Sequence, residues 1–281
     1  MRLLTVLLFI VLSIAALFVP WLIDKSGMEA PNPSVTAHLP EIPEVPVERD
    51  LPDFMSMTDV TEKKEEFFRF LLPMVEAENI RILHDRAHLK AIHQRFKNDK
   101  LTETDKQRLE DWIDYYRLEE DIAIDENLFG LLKRRIDIIP ETMVLVQAAN
   151  ESGWGTSRFS RQGLNLFGQW CYSKGCGLVP KGRDEDGRHE VAQFDSVNAS
   201  VKSYIRNINT HGAYLDLRLL REQKRLDNAD IRARDLITGL SSYSERGQEY
   251  IDELRAMIRI NRPIIEQVNE DLNTPETTKK N

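Results

Sequence analysis

The chain has 281 residues, of which 41% are hydrophobic and 30% charged, and a formal net charge of −8 at pH 7. That length holds one large domain or a compact domain with extensions, and the composition is ordinary for a soluble globular body. The acidic balance excludes a general nucleic-acid binder, which would present a basic face, while leaving room for a local basic patch.

The N-terminus departs from the globular pattern. Residues 3–23 (LLTVLLFIVLSIAALFVPWLI) contain no charged residue over 21 positions. At ~1.5 Å per residue such a helix spans a hydrocarbon core of ~30 Å. Residues 1–26 therefore read as an uncleaved signal anchor. The alternative is a removed signal peptide, which ordinarily has a shorter apolar run and a small-x-small site. The positive-inside rule then leaves the N-terminus in the cytoplasm and the rest of the chain outside it. Residues 27–57 carry Pro31, Pro33, Pro40, Pro43, Pro46 and Pro52. Repeated proline predicts an extended, semi-rigid linker.

Helical patterning begins near Thr58. Phe67, Phe68, Leu71 and Leu72 form an apolar run that Pro73 should break or kink. A second helix is expected over 76–96, with Ile80, Leu83, Ala87 and Ile92 as its stripe. Thr102 and Asp105 have the spacing of a capping box ahead of Leu109, Trp112, Ile113 and Tyr116. Asp125 should cap a short helix reaching Ile136, and Pro140 suits the start of a helix over 141–151. Between residues 164 and 194 the chain turns rich in glycine and aromatics. Two β-like runs, 166–172 and 190–194, flank the polar stretch KGRDEDGRH and predict an antiparallel hairpin lobe. Helices are expected again over 196–210, 215–226, 229–240 and 245–268, before a disordered polar tail, 269–281.

Two motifs carry little. His84 and His88 in HDRAH share the spacing of H-E-x-x-H, but Asp85 replaces the acid that does the chemistry there. Asn198-Ala-Ser200 matches a glycosylation sequon inside an expected helix and is set aside. Cys171 and Cys176 are too few for a structural zinc site, and their spacing closes a tight loop suited to a disulfide in an oxidising compartment.

One residue stands out. In AANESGWGTSRFS, an apolar helix ends on Glu151, with Gly153 placed to terminate it. The helix macrodipole is negative at that end, so the field disfavours the carboxylate, and a neighbouring Trp154 would add desolvation. Both raise the pKa, as general acid catalysis near neutral pH requires. Gly153 and Gly155 should leave room for a ligand to approach.

The stretch QAANESGWGTSRFSRQGLNLFGQW, Gln147 to Trp170, resembles the signature of bacterial peptidoglycan endo-β-N-acetylglucosaminidases, the FlgJ-like glucosaminidase domain. The joined ESGWG and NLFG carry the likeness, which covers about 137–263. More loosely, most of the chain resembles the Bax-type proteins of Gram-negative bacteria. The resemblance implies a mainly α (α+β) lysozyme-like fold. A helical lobe and a small β-hairpin lobe would form the catalytic domain, 137–268, behind a helical extension, 58–136. It implies a periplasmic hydrolase of peptidoglycan glycan strands, cutting the β-1,4 bond after N-acetylglucosamine, with no cofactor and no metal. The catalytic acid falls on Glu151, and the NLFG element on Asn165, Leu166, Phe167 and Gly168. An active-site tyrosine falls on Tyr243, with Tyr250 as its packing partner. Trp154, Asn165 and Trp170 are expected to bind substrate, with Phe167 in the core and Tyr172 near the cleft. A second carboxylate is not fixed by motif; among Asp184, Glu185, Asp186 and Glu190, the last and Glu185 rank highest. A substrate's own acetamido oxygen could also replace it. Two other readings stay open. One is an inactive glycan-binding scaffold. The other is a lytic transglycosylase, whose usual G-L-M-Q element is here NLFGQW.

Overall fold

The computed structural model describes residues 38–182 and 187–274. The expected anchor, 1–26, and the acids Asp184, Glu185 and Asp186 lie outside the described residues. The folded body starts at Leu39. Among the described residues, no helix is long and apolar enough to cross a membrane.

Helix α1 is Val60–Lys97, capped by Asp59, whose side chain accepts from the Thr61 and Glu62 amides at 2.7 and 2.9 Å. Pro73 lies inside it without ending it. An internal proline costs a helix ~3 kcal/mol. Here Phe67, Phe68, Leu71, Leu72, Met74 and Val75 are buried on either side of it, and their burial outweighs that local cost. α1 packs against four later helices: α3 (Glu126–Arg135), α4 (Glu141–Ser152), α6 (Val197–Thr210) and α9 (Gln248–Asn273). The helical segment read as an extension therefore shares one hydrophobic core with the rest.

Several element ends follow the expected chemistry. Thr102 and Asp105 form the capping box of α2 (Glu103–Tyr115), and Asp125 caps α3. α5 (Arg158–Gly163), α7 (Leu215–Leu226) and α8 (Ala233–Leu236, running into a 3-10 turn) complete the body. α9 also contains a proline, Pro263, and continues to Asn273, past the expected end at 268.

The small lobe has three strands rather than a hairpin: β1 (Trp170–Cys171), β2 (Gly177–Leu178) and β3 (Glu190–Ala192). Their order is β1-β3-β2, all antiparallel, with Trp170 opposite Val191 and Gly177 opposite Ala192. β2 is two residues long, too short to show an alternating pattern. The whole is the α+β, lysozyme-like arrangement expected.

The last part of the proline-rich linker is docked. Val45, Leu51 and Met57 pack on the core, and Phe54 is buried. The Asn198 side chain accepts from the Glu48 amide at 2.9 Å and donates to the Pro46 carbonyl at 3.0 Å. This sequon asparagine thus pins the strap of residues 45–57 to the start of α6.

Beneath the helices, the buried carboxylate of Asp137 faces three arginines. Arg225 lies at 2.8 Å, Arg86 at 3.5 Å and Arg221 at 3.7 Å. Burial pushes the Asp137 pKa up, but Arg221, Arg225 and Arg86 outweigh it and hold the group below its ordinary value.

Candidate active site

α4 carries Glu151 in its last turn and ends on Gly153, at φ 57° and ψ 47° in the left-handed region. The turn is knitted below the acid. Ser152 Oγ donates to the Ala148 carbonyl at 2.6 Å and accepts from the Gly155 amide at 2.8 Å. Glu151 is half-buried. Tyr250, in the first turn of α9, donates its hydroxyl to Glu151 Oε1 at 2.8 Å. Gln147, one turn before the acid, donates Nε2 to the Tyr250 hydroxyl at 2.9 Å and accepts from the Tyr204 hydroxyl. The sense of donation is thus Tyr204 to Gln147 to Tyr250 to Glu151. Burial raises the Glu151 pKa. The bonds from Tyr250 and Asn150 and the nearby Arg246 lower it, Glu253 raises it, and the balance stays above the ordinary value.

The acid opens onto a cleft of about 860 Å³ between the helical body and the small lobe. Phe167, Gly168 and Gln169 form its floor beside Glu151, and β1 with Tyr172 forms the small-lobe side. Ala199, Lys202, Ser203, Arg206 and Asn207 come from one face of α6. Tyr214, Tyr243 and His211 line it further, as do Tyr115 and Arg117 at the end of α2. Glu151 is the only acid lining the cleft among the described residues. A Cβ on Gly168 would sit 3.9 Å from Glu151 Oε2, and the glycine has φ +63°. Gly168 therefore lies directly beside the second oxygen of the acid.

Not every expected site residue meets there. Trp170 does: it lines the cleft, is 57% exposed, and stacks on His189 with ring centres 4.2 Å apart. Trp154 does not line the cleft. Its ring packs edge-on against Phe67 and Phe68 of α1, at 5.6 and 5.4 Å, with the Lys64 ammonium 5.2 Å above it. Gly155, expected to leave room for ligand, instead makes room for Phe54, whose ring would lie 2.5 Å from an added Cβ. Asn165 is fully engaged in the floor. Nδ2 donates to the carbonyls of Gln169 and Ala192 at 2.9 and 2.8 Å, and Oδ1 accepts from the Phe167 and Gln169 amides. It shapes the NLFG turn rather than facing substrate.

The tyrosines exchange their expected contacts. Tyr243 lines the cleft, but its hydroxyl donates to the Phe167 carbonyl at 2.8 Å. Tyr250, read as its packing partner and indeed stacked on it at 5.6 Å, is the one that touches Glu151. Glu190 is buried and not a lining residue. Its oxygens accept from the Gly175 and Gly177 amides at 3.0 and 2.9 Å, clamping the loop closed by the Cys171–Cys176 disulfide. These three residues lie close together, yet both sulfurs are committed to the disulfide and offer no thiolate to a metal.

The motif gives Gln147 no role of its own, and nothing in sequence singles out Tyr204. The i−4 spacing of Gln147 from Glu151 on a buried helix face was the available signal. Nothing in sequence pointed to Tyr115 or Arg117 as cleft residues.

A helical body and a small strand lobe around one half-buried, tyrosine-bound glutamate make an α+β, lysozyme-like architecture. The family model described as mannosyl-glycoprotein endo-beta-N-acetylglucosaminidase matches residues 126–262. The chain is 34% identical over 215 residues to Protein bax of Escherichia coli (strain K12), covering 76% of each chain. It therefore belongs to the Bax family and carries a glucosaminidase domain. No solved structure matches it.

Proposed function

We propose that the protein is an extracytoplasmic peptidoglycan hydrolase that cuts the β-1,4 bond after N-acetylglucosamine, with Glu151 as the proton donor. The carrying observation is the asymmetry of the Glu151 carboxyl. Oε1 is held by Tyr250, while Oε2 lies beside Gly168, which lines the cleft with the acid. Burial favours the protonated form, so Oε2 can present a proton to the leaving oxygen. As the bond breaks, positive charge grows on the anomeric carbon and must meet an electron pair. Glu190 is a poor source, because both its oxygens are bound to backbone amides. The remaining sources are the acids between residues 183 and 187 or the sugar's own acetamido oxygen. Tyr243 acts on this chemistry by holding the Phe167–Gly168 turn in place.

The disulfide fits an oxidising compartment, in keeping with a cell-wall substrate. We also propose that residues 1–26 stay attached as an inner-membrane anchor. Intact mass of the membrane-extracted protein checks this: loss of the N-terminal segment would mean a cleaved signal.

The test of the acid is Glu151→Gln, assayed on purified sacculi. Loss of at least ~100-fold in the rate of fragment release is expected of a general acid. Equal rates would sink the assignment, and sacculus binding with no release by either protein would favour the inactive glycan-binding reading.

A further inference from the structure

The cleft carries its charge unevenly. Lys202, Arg206 and Arg117 all line it, against Glu151 as its one acid among the described residues. This is a cationic wall on a chain whose formal net charge is −8. Lys202 and Arg206 stand one turn apart on α6, so both project from the same face. Among the described residues none of the three cations forms a salt bridge. Glu78, the acid that senses Lys202, already pairs with Arg81.

The wall is built rather than incidental. Arg206 donates Nε to the Tyr115 carbonyl at 2.6 Å, and its guanidinium lies 4.5 Å from the centre of the Tyr115 ring. Lys202 places its ammonium 5.7 Å from the same ring. Both contacts leave Arg206 oriented, with its two terminal nitrogens unclaimed by protein among the described residues. A planar guanidinium held this way matches the two oxygens of a carboxylate. Arg117 follows at a backbone φ of 55°, which turns the chain at the end of α2. Tyr115 and Arg117 precede the segment that matches the glucosaminidase family model, 126–262. The preceding helices therefore contribute to the cleft itself.

We propose that Arg206, Lys202 and Arg117, set around Tyr115, form a subsite for a carboxylate borne by the glycan strand, so that acid-bearing strands bind in preference to neutral ones. The inference rests on reading the cleft as a glycan site. Peptidoglycan offers that carboxylate from two sources: the lactyl group of a peptide-free muramic residue, or the stem peptide where one is attached.

The test measures binding to the full chain carrying Glu151→Gln, so that ligands are not consumed. Three probes of equal length are compared: a neutral chitooligosaccharide, a peptide-free glycan with exposed lactyl carboxylates, and a glycan with tripeptide stems. We expect one acid-bearing probe to bind about tenfold tighter than the neutral one at low salt, with the advantage shrinking as salt rises. The tighter of the two identifies the source. Adding Arg206→Gln and Lys202→Gln should bring the ratio to about one. An undiminished ratio in that variant, or no advantage in the parent, overturns the subsite. If the variant fails to fold, Arg117→Gln, at an exposed position, tests the same ratio and should lower it about threefold. Failure of the glycan reading looks different: none of the three probes binds, and the subsite falls with it.

Discussion

Glu151 is poised between burial, which favours its neutral form, and a hydroxyl that favours its ionised one. Removing that hydroxyl should therefore raise its pKa further. In Tyr250→Phe, Glu151 would stay protonated to higher pH, and the alkaline limb of the kcat/KM profile should move up. A limb that stays put or moves down would show that Tyr250 does not tune the acid. Trp154 belongs to a different category. Its backbone sits at φ 60° and its ring is lodged against Phe67 and Phe68. Trp154→Ala should cost about 3 kcal/mol of stability. Thermal unfolding measures this, and a change under ~0.5 kcal/mol would contradict the packing role. The placement of Glu151 at a helix end was legible because Gly153 terminates an apolar run. The role of Trp154 was not, because a tryptophan between two glycines looks alike whether it meets a sugar or another helix.

At the scale of elements, local signals held where local chemistry decides. Asp59, Thr102 and Asp125 cap their helices through side-chain bonds within three residues, and such bonds are written in sequence. Pro73 misled as a breaker because long-range burial overrides a local cost. The strap was unreadable for the same reason: its affinity for the core depends on Asn198 and Gly155, far along the chain. Shortening the protein to start at Thr58 removes Phe54 and the Glu48–Asn198 bonds. Such a chain should melt well below one starting at Leu39, and equal melting temperatures would show the strap to be dispensable. Phe54→Ala alone should cost ~3–5 kcal/mol in the longer chain.

Across the whole molecule, one core joins helices from both sides of residue 126, and Asp137 ties several of them together. Arg221 is fully buried, so Asp137→Asn leaves it without its counter-charge. The expected loss is ~3–5 kcal/mol. The pH dependence follows from the depressed pKa: the Asp137 contribution is complete above the unfolded value near 3.8 and is lost as pH falls through the folded one. Wild type should thus lose stability in acid along a limb that Asp137→Asn lacks. Parallel acid limbs in the two proteins would refute this. The domain boundary read at 137 followed the motif, whereas burial follows α1, whose apolar face serves four partners at once.

The most direct check of the central claim is the sugar left at the new reducing end. Sacculi digested by the full chain, then reduced with borohydride and hydrolysed, should yield glucosaminitol, and Glu151→Gln should abolish it. Muramitol as the reduced product, or anhydromuramic ends in its place, would contradict a glucosaminidase acting through Glu151.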